Sequence, residues 1–175
     1  MSDTLHIIAI WTHILGIALW VGPQFFLAFA WVPASRQIAD PAARLQAMRT
    51  ITRRFGYIGG IGLLLILAAG LYLISSYRDY YHYEGGFFAI RFGVVFTIKM
   101  TTLAVMLIVV GYHTLAIGPR LVRLMEAQLK GEDVPASVIR KTRLQSMALS
   151  MTGLLLTLAI MVMGAMLNTV TFSLR

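Results

Sequence analysis

The sequence contains no cysteine, few charged residues and only seven acidic side chains. Without cysteine, the chain can form no disulfide, iron–sulfur ligation or thioether-attached haem. Charged residues make up 13% of the 175 residues and hydrophobic residues 58%, a balance that argues against an ordinary soluble domain. No nucleophile elbow, phosphate loop or zinc-hydrolase spacing occurs, so the sequence does not support hydrolysis or phosphoryl transfer. The sequence therefore predicts a chain that lies in a lipid bilayer. Any cofactor would need His, Met, Lys or carboxylate ligands.

Long apolar runs are the main feature of the chain. Four of them are long enough to cross a hydrocarbon core of about 30 Å, which takes about 20 helical residues. They predict an all-α integral membrane four-helix bundle that forms a single transmembrane domain over residues 1–175. The predicted spans cover residues 5–31, 57–77, 92–117 and 147–170.

Basic residues concentrate in two connecting segments, 34–56 and 118–146, which hold eleven of the fifteen Lys and Arg residues. The positive-inside rule predicts that both segments are cytoplasmic and that the N- and C-termini are extracytoplasmic. The protein is therefore expected to be a multi-pass protein of a bacterial-type inner (cytoplasmic) membrane. The net charge of +8 is assigned to orientation and lipid contact, because no stacking motif for nucleic acid accompanies it.

The basic segments are themselves predicted to be helical, since apolar residues recur among the charges at helical spacing. Residues 131–135 should interrupt the second segment, and a new helix should begin near Ala136 and continue into the fourth span. Gly62-Leu-Leu-Leu-Ile-Leu-Ala also parallels Gly153-Leu-Leu-Leu-Thr-Leu-Ala. This match predicts a parallel two-helix repeat about the membrane normal, although chance similarity of leucine-rich spans explains it equally well.

Ionisable side chains inside spans are costly, so they are the first candidates for function. The first and third spans each carry a stripe with a spacing of seven residues, which places its members on one helix face. The stripes are His6, His13 and Trp20 in the first span, and Lys99, Met106 and His113 in the third. The two stripes can therefore face each other. At 1.5 Å per residue, His13 lies about 12 Å and Lys99 about 10 Å below the outer ends of their spans.

His13 is predicted to bind the iron of haem b, because a buried histidine needs partners for both ring nitrogens and a metal supplies one. Gly16 is expected to leave space for a porphyrin edge, and Trp20 and Met106 to line the cofactor site. Lys99 either ligates the iron as a neutral amine or pairs with a haem propionate as a cation. The alternative for Lys99 is that its long side chain reaches the outer surface.

The remaining polar residues give weaker signals. His113 lies about 6 Å from the inner end of its span, where interfacial hydrogen bonding is expected and a separate cofactor is the alternative. His6 and His82, with Asp79 and Glu84, are a weak candidate for a copper or zinc site within an aromatic belt. Methionines of the fourth span are expected to be apolar filling, with Cu(I) passage as the alternative: Met147, Met151, Met161, Met163 and Met166.

The first span, His13-Ile-Leu-Gly-Ile-Ala-Leu-Trp20-Val-Gly22, resembles the opening helix of the HemJ-type protoporphyrinogen oxidases and of the CopD-like membrane domain. The likeness covers three of the four spans and continues in Arg53-Arg54, Gly70-Leu-Tyr-Leu, and Lys99 with Gly111-Tyr112-His113. The resemblance implies a four-helix membrane fold with haem b bound through the positions of His13 and Lys99.

The sequence leaves three functions open. The leading one is a membrane-embedded b-type haem protein with a redox role, an oxidoreductase that exchanges electrons with quinone or oxidises a porphyrinogen. The second is a CopD-like copper transport protein that uses His6, His13 and the methionines. The third is an accessory subunit of a respiratory membrane complex that carries no cofactor. The sequence also leaves open whether the chain forms a homo-oligomer.

Overall fold

The computed structural model describes residues 3–75 and 85–173 of the chain, and these residues form helices and short connections without any strand. Four helical stretches are long and apolar enough to cross a membrane: Asp3–Ser35, Pro41–Ile74, Arg91–Leu129 and Ala136–Leu167. This confirms the all-α class and the four apolar helices expected from the sequence. The chain divides into two compact units, Met1–Asp79 and Tyr80–Arg175. The orientation of the termini, the repeat and the single domain stay predictions.

The N-terminal unit consists of a long helix α1 (Asp3–Phe25), a π-helical turn (Phe26–Trp31), a short helix α2 (Val32–Ser35) and a long helix α3 (Pro41–Ile74). Helix α3 begins where Asp40 accepts hydrogen bonds from the amides of Ala42 and Ala43 at 3.0 and 3.2 Å. This cap satisfies amides that have no partner within the helix. The basic segment is thus a continuous helical extension of the second span, as predicted.

Glycine brings the two long helices of the N-terminal unit into backbone contact. A Cβ atom at Gly16 would lie 2.8 Å from the carbonyl oxygen of Gly62, and a Cβ atom at Gly62 would lie 2.8 Å from that of Gly16. Both positions are buried. Because lipid provides no hydrophobic drive, such close approach supplies the van der Waals contact that holds membrane helices together. Gly16 and Gly62 therefore serve the packing of α1 against α3.

The C-terminal unit also contains two long helices. A 3₁₀ turn (Phe87–Ala89) leads into helix α4 (Arg91–Tyr112), a π-helical turn (His113–Ile117) and helix α5 (Gly118–Leu129). A second long helix α6 (Ala136–Leu167) and a short helix α7 (Val170–Ser173) follow. The interruption before Ala136 lies where it was predicted, and Gly131 at φ 81° makes the turn.

Each π-helical turn precedes a proline, Pro33 in the N-terminal unit and Pro119 in the C-terminal unit. A proline ring has no N–H and collides with the carbonyl four residues earlier, which belongs here to Phe29 and Leu115. Both of those residues lie within the π-helical turns. We attribute the widened turns to relief of this collision.

Side chains mediate the contact between α4 and α6. Met106 of α4 is 2% exposed, and a Cβ atom at Gly153 of α6 would lie 3.1 Å from a methyl group of Val110. Thr157 is also buried, and its hydroxyl donates to the carbonyl of Gly153 at 2.8 Å. The hydroxyl of Thr157 thus has its hydrogen-bond partner within its own helix.

Aromatic side chains pack around the start of helix α4. The carbonyl of Phe87 lies directly against Gly93, where no side chain could be accommodated. Phe92 is fully buried beside Phe87, and the guanidinium of Arg91 lies 5.3 Å from the ring centre of Phe172. Aromatic residues of this kind are suited to the membrane interface.

Two span boundaries differ from those expected. Helix α3 ends at Ile74, and residues 76 and 77 of the expected second span lie outside the described residues. Helix α6 ends at Leu167, three residues earlier than expected, because the chain turns and the buried hydroxyl of Ser173 donates to the carbonyl of Leu167 at 3.0 Å. This bond satisfies a carbonyl that the helix leaves without a partner.

Candidate functional site

His13 lies on the face of α1 that packs against α3. Its Nδ1 atom is 3.1 Å from the carbonyl oxygen of Ile66, and its Cε1 atom lies 3.6 Å from where a Cβ atom at Gly70 would be. A carbonyl oxygen only accepts hydrogen bonds, so Nδ1 is the protonated nitrogen. In the neutral ring, the lone pair is therefore on Nε2. The structure thus assigns both the tautomer and the orientation of this imidazole.

This arrangement has the chemistry of a metal-binding histidine. Such histidines commonly donate the second ring N–H to a backbone carbonyl, which fixes the tautomer and increases the basicity of the ligating nitrogen. A carbonyl within a helix is a rigid partner because the helix backbone holds its position. His13 therefore fits the axial ligand of a haem, with Ile66 as the residue that orients it.

Trp20 and Gly16 also face α3. The ring of Trp20 lies over Gly59, whose Cβ position is 3.5 Å from Cε3 of the indole. Gly16, which was expected to leave space for a porphyrin edge, lies against Gly62 and Ile66. The backbone of α3 fills that space, because the absence of both glycine side chains lets the helices touch. The role of Gly16 in the structure is helix packing.

The stripe of the third span faces α6. The side-chain nitrogen of Lys99 lies 3.6 Å from where a Cβ atom at Gly164 would be. The lysine side chain therefore reaches α6 at a position that carries no side chain. Met106, the next residue of the same stripe, is buried. Within the part of the chain that the structure describes, no hydrogen bond or ion pair involves Lys99.

His113 starts the second π-helical turn and bonds to two serines of α6. Its Nε2 atom is 3.0 Å from the hydroxyl of Ser146 and 3.2 Å from that of Ser150. His113 is thus hydrogen-bonded to protein hydroxyls, and its expected position at the membrane interface stays a prediction. The sequence analysis missed both serines. Their spacing of four residues, which places them on one face of a helix, was the available signal.

The two histidines therefore present different atoms to their surroundings. His13 uses Nδ1 for its hydrogen bond to α3 and keeps its lone pair on Nε2. His113 uses Nε2, the nitrogen more exposed on the ring, for its bonds to α6. Only the first arrangement matches an axial ligand that binds through Nε2.

The structure describes only one of the four residues of the candidate copper or zinc site. His6 is half-buried on α1, while His82, Asp79 and Glu84 lie outside the described residues. Over residues 3–75 and 85–173, no group of three or more His, Asp and Glu side chains is placed to hold a metal ion. A protein-only copper or zinc site therefore has no support among these residues.

The methionines of α6 do not form one continuous stripe. Three of them are exposed, namely Met147, Met151 and Met161, and two are half-buried, namely Met163 and Met166. Met161 and Met163 are two residues apart and so point to nearly opposite sides of the helix. This distribution is that of apolar side chains facing lipid and neighbouring helices.

Comparison of the chain with protein-family models, curated proteins and solved structures finds no match. The resemblance to the HemJ-type and CopD-like proteins therefore rests on the motifs quoted from the sequence. The local structure of His13 is an independent observation that bears on the same hypothesis.

Proposed function

We propose that this chain is a membrane-embedded b-type haem protein with a redox role, in which His13 is an axial ligand. The observation that carries the proposal is the bond between Nδ1 of His13 and the carbonyl of Ile66, because it leaves the ring lone pair on Nε2. An iron ligand needs this tautomer, since only a deprotonated ring nitrogen binds a metal.

The neighbouring residues have roles that follow from their positions. Ile66 orients the imidazole through its carbonyl, and Gly70 allows the ring to lie against α3. The Gly16–Gly62 contact keeps α1 and α3 in the register that this bond requires. Trp20, packed on Gly59, closes the same interface toward the inner side. When bound, haem would supply reversible one-electron transfer.

Lys99 is the proposed second residue of the site. Its side-chain nitrogen lies next to Gly164 of α6, and it has no ionic partner among the described residues. Its expected depth is close to that of His13. As a neutral amine it would ligate iron, and as a cation it would bind a haem propionate. Met106, which is buried on the same stripe, would contribute packing.

The finer parts of the proposal concern orientation and reaction. The site lies in the outer half of a bacterial-type inner membrane, with both termini extracytoplasmic, since the basic segments occupy the other side. The electron partner is quinone, or a porphyrinogen as in the HemJ-type family that the first span resembles. A reporter fused after residue 175 should read as extracytoplasmic. A cytoplasmic reading would overturn this orientation.

An absorption spectrum of the detergent-purified protein, oxidised and reduced, tests the function directly. Haem b should give a Soret band and reduced α and β bands at a stoichiometry of about one haem per chain. Bound copper without a Soret band would replace the proposal with copper transport. A colourless protein that co-purifies with larger partners, after expression with added haem precursor, would favour an accessory subunit.

A further inference from the structure

The inner half of the C-terminal unit contains a polar cluster that the haem proposal does not use. It consists of His113, Ser146 and Ser150, joined through Nε2 of the imidazole at 3.0 and 3.2 Å. Other hydroxyls in this chain behave differently. Five threonine hydroxyls donate to the carbonyl four residues earlier in their own helix, namely Thr50, Thr97, Thr102, Thr142 and Thr157, and Thr169 makes the same bond just after the end of α6.

The two serines instead reach across to α4. Across the described residues, the hydroxyls of Ser146 and Ser150 have no hydrogen-bond partner other than His113. The Nε2 atom of a neutral imidazole carries either one hydrogen or one lone pair. If it has the lone pair, it accepts one serine hydrogen well, and if it has the hydrogen, it accepts none. In either tautomer at least one serine O–H remains without an acceptor.

An unsatisfied donor is costly where water is scarce, and a ligand that supplies an acceptor removes that cost. The cluster is accessible to such a ligand, since Ser150 is exposed on α6. Met147, which lies three residues before Ser150 and so on the same side of α6, is an exposed apolar side chain next to the cluster. The matching ligand therefore has an oxygen acceptor at one end of an apolar body.

The position along the helix fits the same ligand class. His113 follows Arg91 by 22 residues of continuous helix, or about 33 Å at 1.5 Å per residue. This is about the thickness of the hydrocarbon core, so the cluster lies at the inner interface. A lipid-soluble molecule can place its polar head there while its tail stays in the bilayer. The π-helical turn at His113 is a feature that occurs frequently at functional sites.

We propose that the cluster of His113, Ser146 and Ser150 binds the ring carbonyl of a lipid-soluble quinone. A serine hydroxyl donates to the quinone oxygen, and the reduced hydroquinone fits equally, because its O–H can donate to the lone pair of Nε2 or of a serine. The apolar part of the quinone lies against the exposed side chain of Met147. This binding site does not depend on the haem at His13.

Equilibrium binding of decylubiquinone to the protein in quinone-free lipid nanodiscs tests the proposal, with empty nanodiscs as the partition baseline. The double variant Ser146→Ala/Ser150→Ala should bind at least tenfold more weakly than the unaltered chain. Thr152→Ala, on the same helix and at nearly the same depth, should bind within twofold of it. Binding by the unaltered chain no greater than to empty nanodiscs, or equal affinity in the double variant, overturns the proposal.

A second pair of variants covers the case in which the double variant does not fold. Ser150 is exposed, so Ser150→Ala leaves the packing unchanged. Ser150→Ala should lose affinity and Thr152→Ala should retain it, and equal affinity in both would refute the role of the Ser150 hydroxyl. The Soret band is recorded on the same samples. Loss of quinone binding with an unchanged Soret band separates this site from the haem.

Discussion

In the N-terminal unit the paired helices meet backbone to backbone at Gly16 and Gly62, whereas in the C-terminal unit they meet through side chains at Val110 and Gly153. The difference affects how each histidine is held. Where the backbones touch, His13 can reach a main-chain carbonyl of the opposite helix. Where side chains separate the helices, His113 bonds to hydroxyl groups instead.

A carbonyl and a hydroxyl impose different conditions on an imidazole. The carbonyl of Ile66 can only accept, so it determines which nitrogen of His13 keeps the proton. The hydroxyls of Ser146 and Ser150 can donate or accept, so they leave both tautomers of His113 accessible. Similar helix pairs thus yield one histidine prepared for metal ligation and one suited to exchanging hydrogen-bond partners.

The largest expected effect separates the two histidines. His13→Ala should abolish the Soret band of the purified protein, because it removes the axial ligand, while His113→Ala should retain at least most of the haem. Both variants should be compared at equal protein concentration after size-exclusion chromatography, with total haem measured by extraction. Full haem occupancy with an unchanged spectrum in His13→Ala would remove the basis of the assignment. Loss of all haem in His113→Ala would make that residue a ligand.

The next effect separates the two kinds of helix contact. Gly62→Ala should destabilise the fold by about 1–3 kcal/mol, since the new Cβ atom would overlap backbone atoms that cannot move independently. Gly153→Ala should be nearly neutral, because its neighbour is a valine methyl group and alanine favours the helix by about 0.5–1 kcal/mol. Thermal unfolding in detergent measures both. Equal destabilisation would show that the two interfaces pack alike.

A smaller effect is expected at Lys99. Lys99→Met should leave the protein folded, because no described hydrogen bond or ion pair is lost, but it should alter the haem. If the amine ligates iron, the Soret band should move as the iron becomes five-coordinate. If the ammonium pairs with a propionate, the spectrum should hold while haem affinity falls by about tenfold, or about 1.4 kcal/mol. Lys130→Met is the matched control on an exposed lysine, and equal behaviour of the two variants would exclude Lys99 from the site.

The smallest effect concerns the starts of the second long helices. Helix α3 has a side-chain cap at Asp40, whereas α6 begins after Pro135 without one. Asp40→Ala should cost about 1 kcal/mol and speed hydrogen exchange at the amides of Ala42 and Ala43. Asp40→Asn, whose single amide oxygen can still accept one of the two bonds, should lose less stability than Asp40→Ala. Unchanged exchange in Asp40→Ala would show that the cap contributes nothing measurable.

The sequence alone determined the long helices and the position of the interruption between two of them. Apolar run length predicted four long helices because a bilayer imposes one minimum length on every span. Gly131 and Pro135 predicted the interruption before Ala136, since a segment with both residues does not readily continue a helix. The spacing of seven residues correctly placed His13 with Trp20, and Lys99 with Met106 and His113, on single helix faces. All of these are local properties, which periodicity and backbone chemistry encode directly.

Only the tertiary structure decided what each face contacts. Sequence spacing placed Gly16 near a cofactor, but its neighbour is Gly62, 46 residues later in the chain. The hydrogen bonds to the carbonyl of Ile66 and to the hydroxyls of Ser146 and Ser150 were not predicted either, because no local sequence pattern links these groups to a histidine on another helix. In lipid, the rotation of a helix about its axis depends on small residues and hydrogen bonds at the contact, and not on a hydrophobic face turned away from water. The pairing of particular atoms is therefore a property of two helices together.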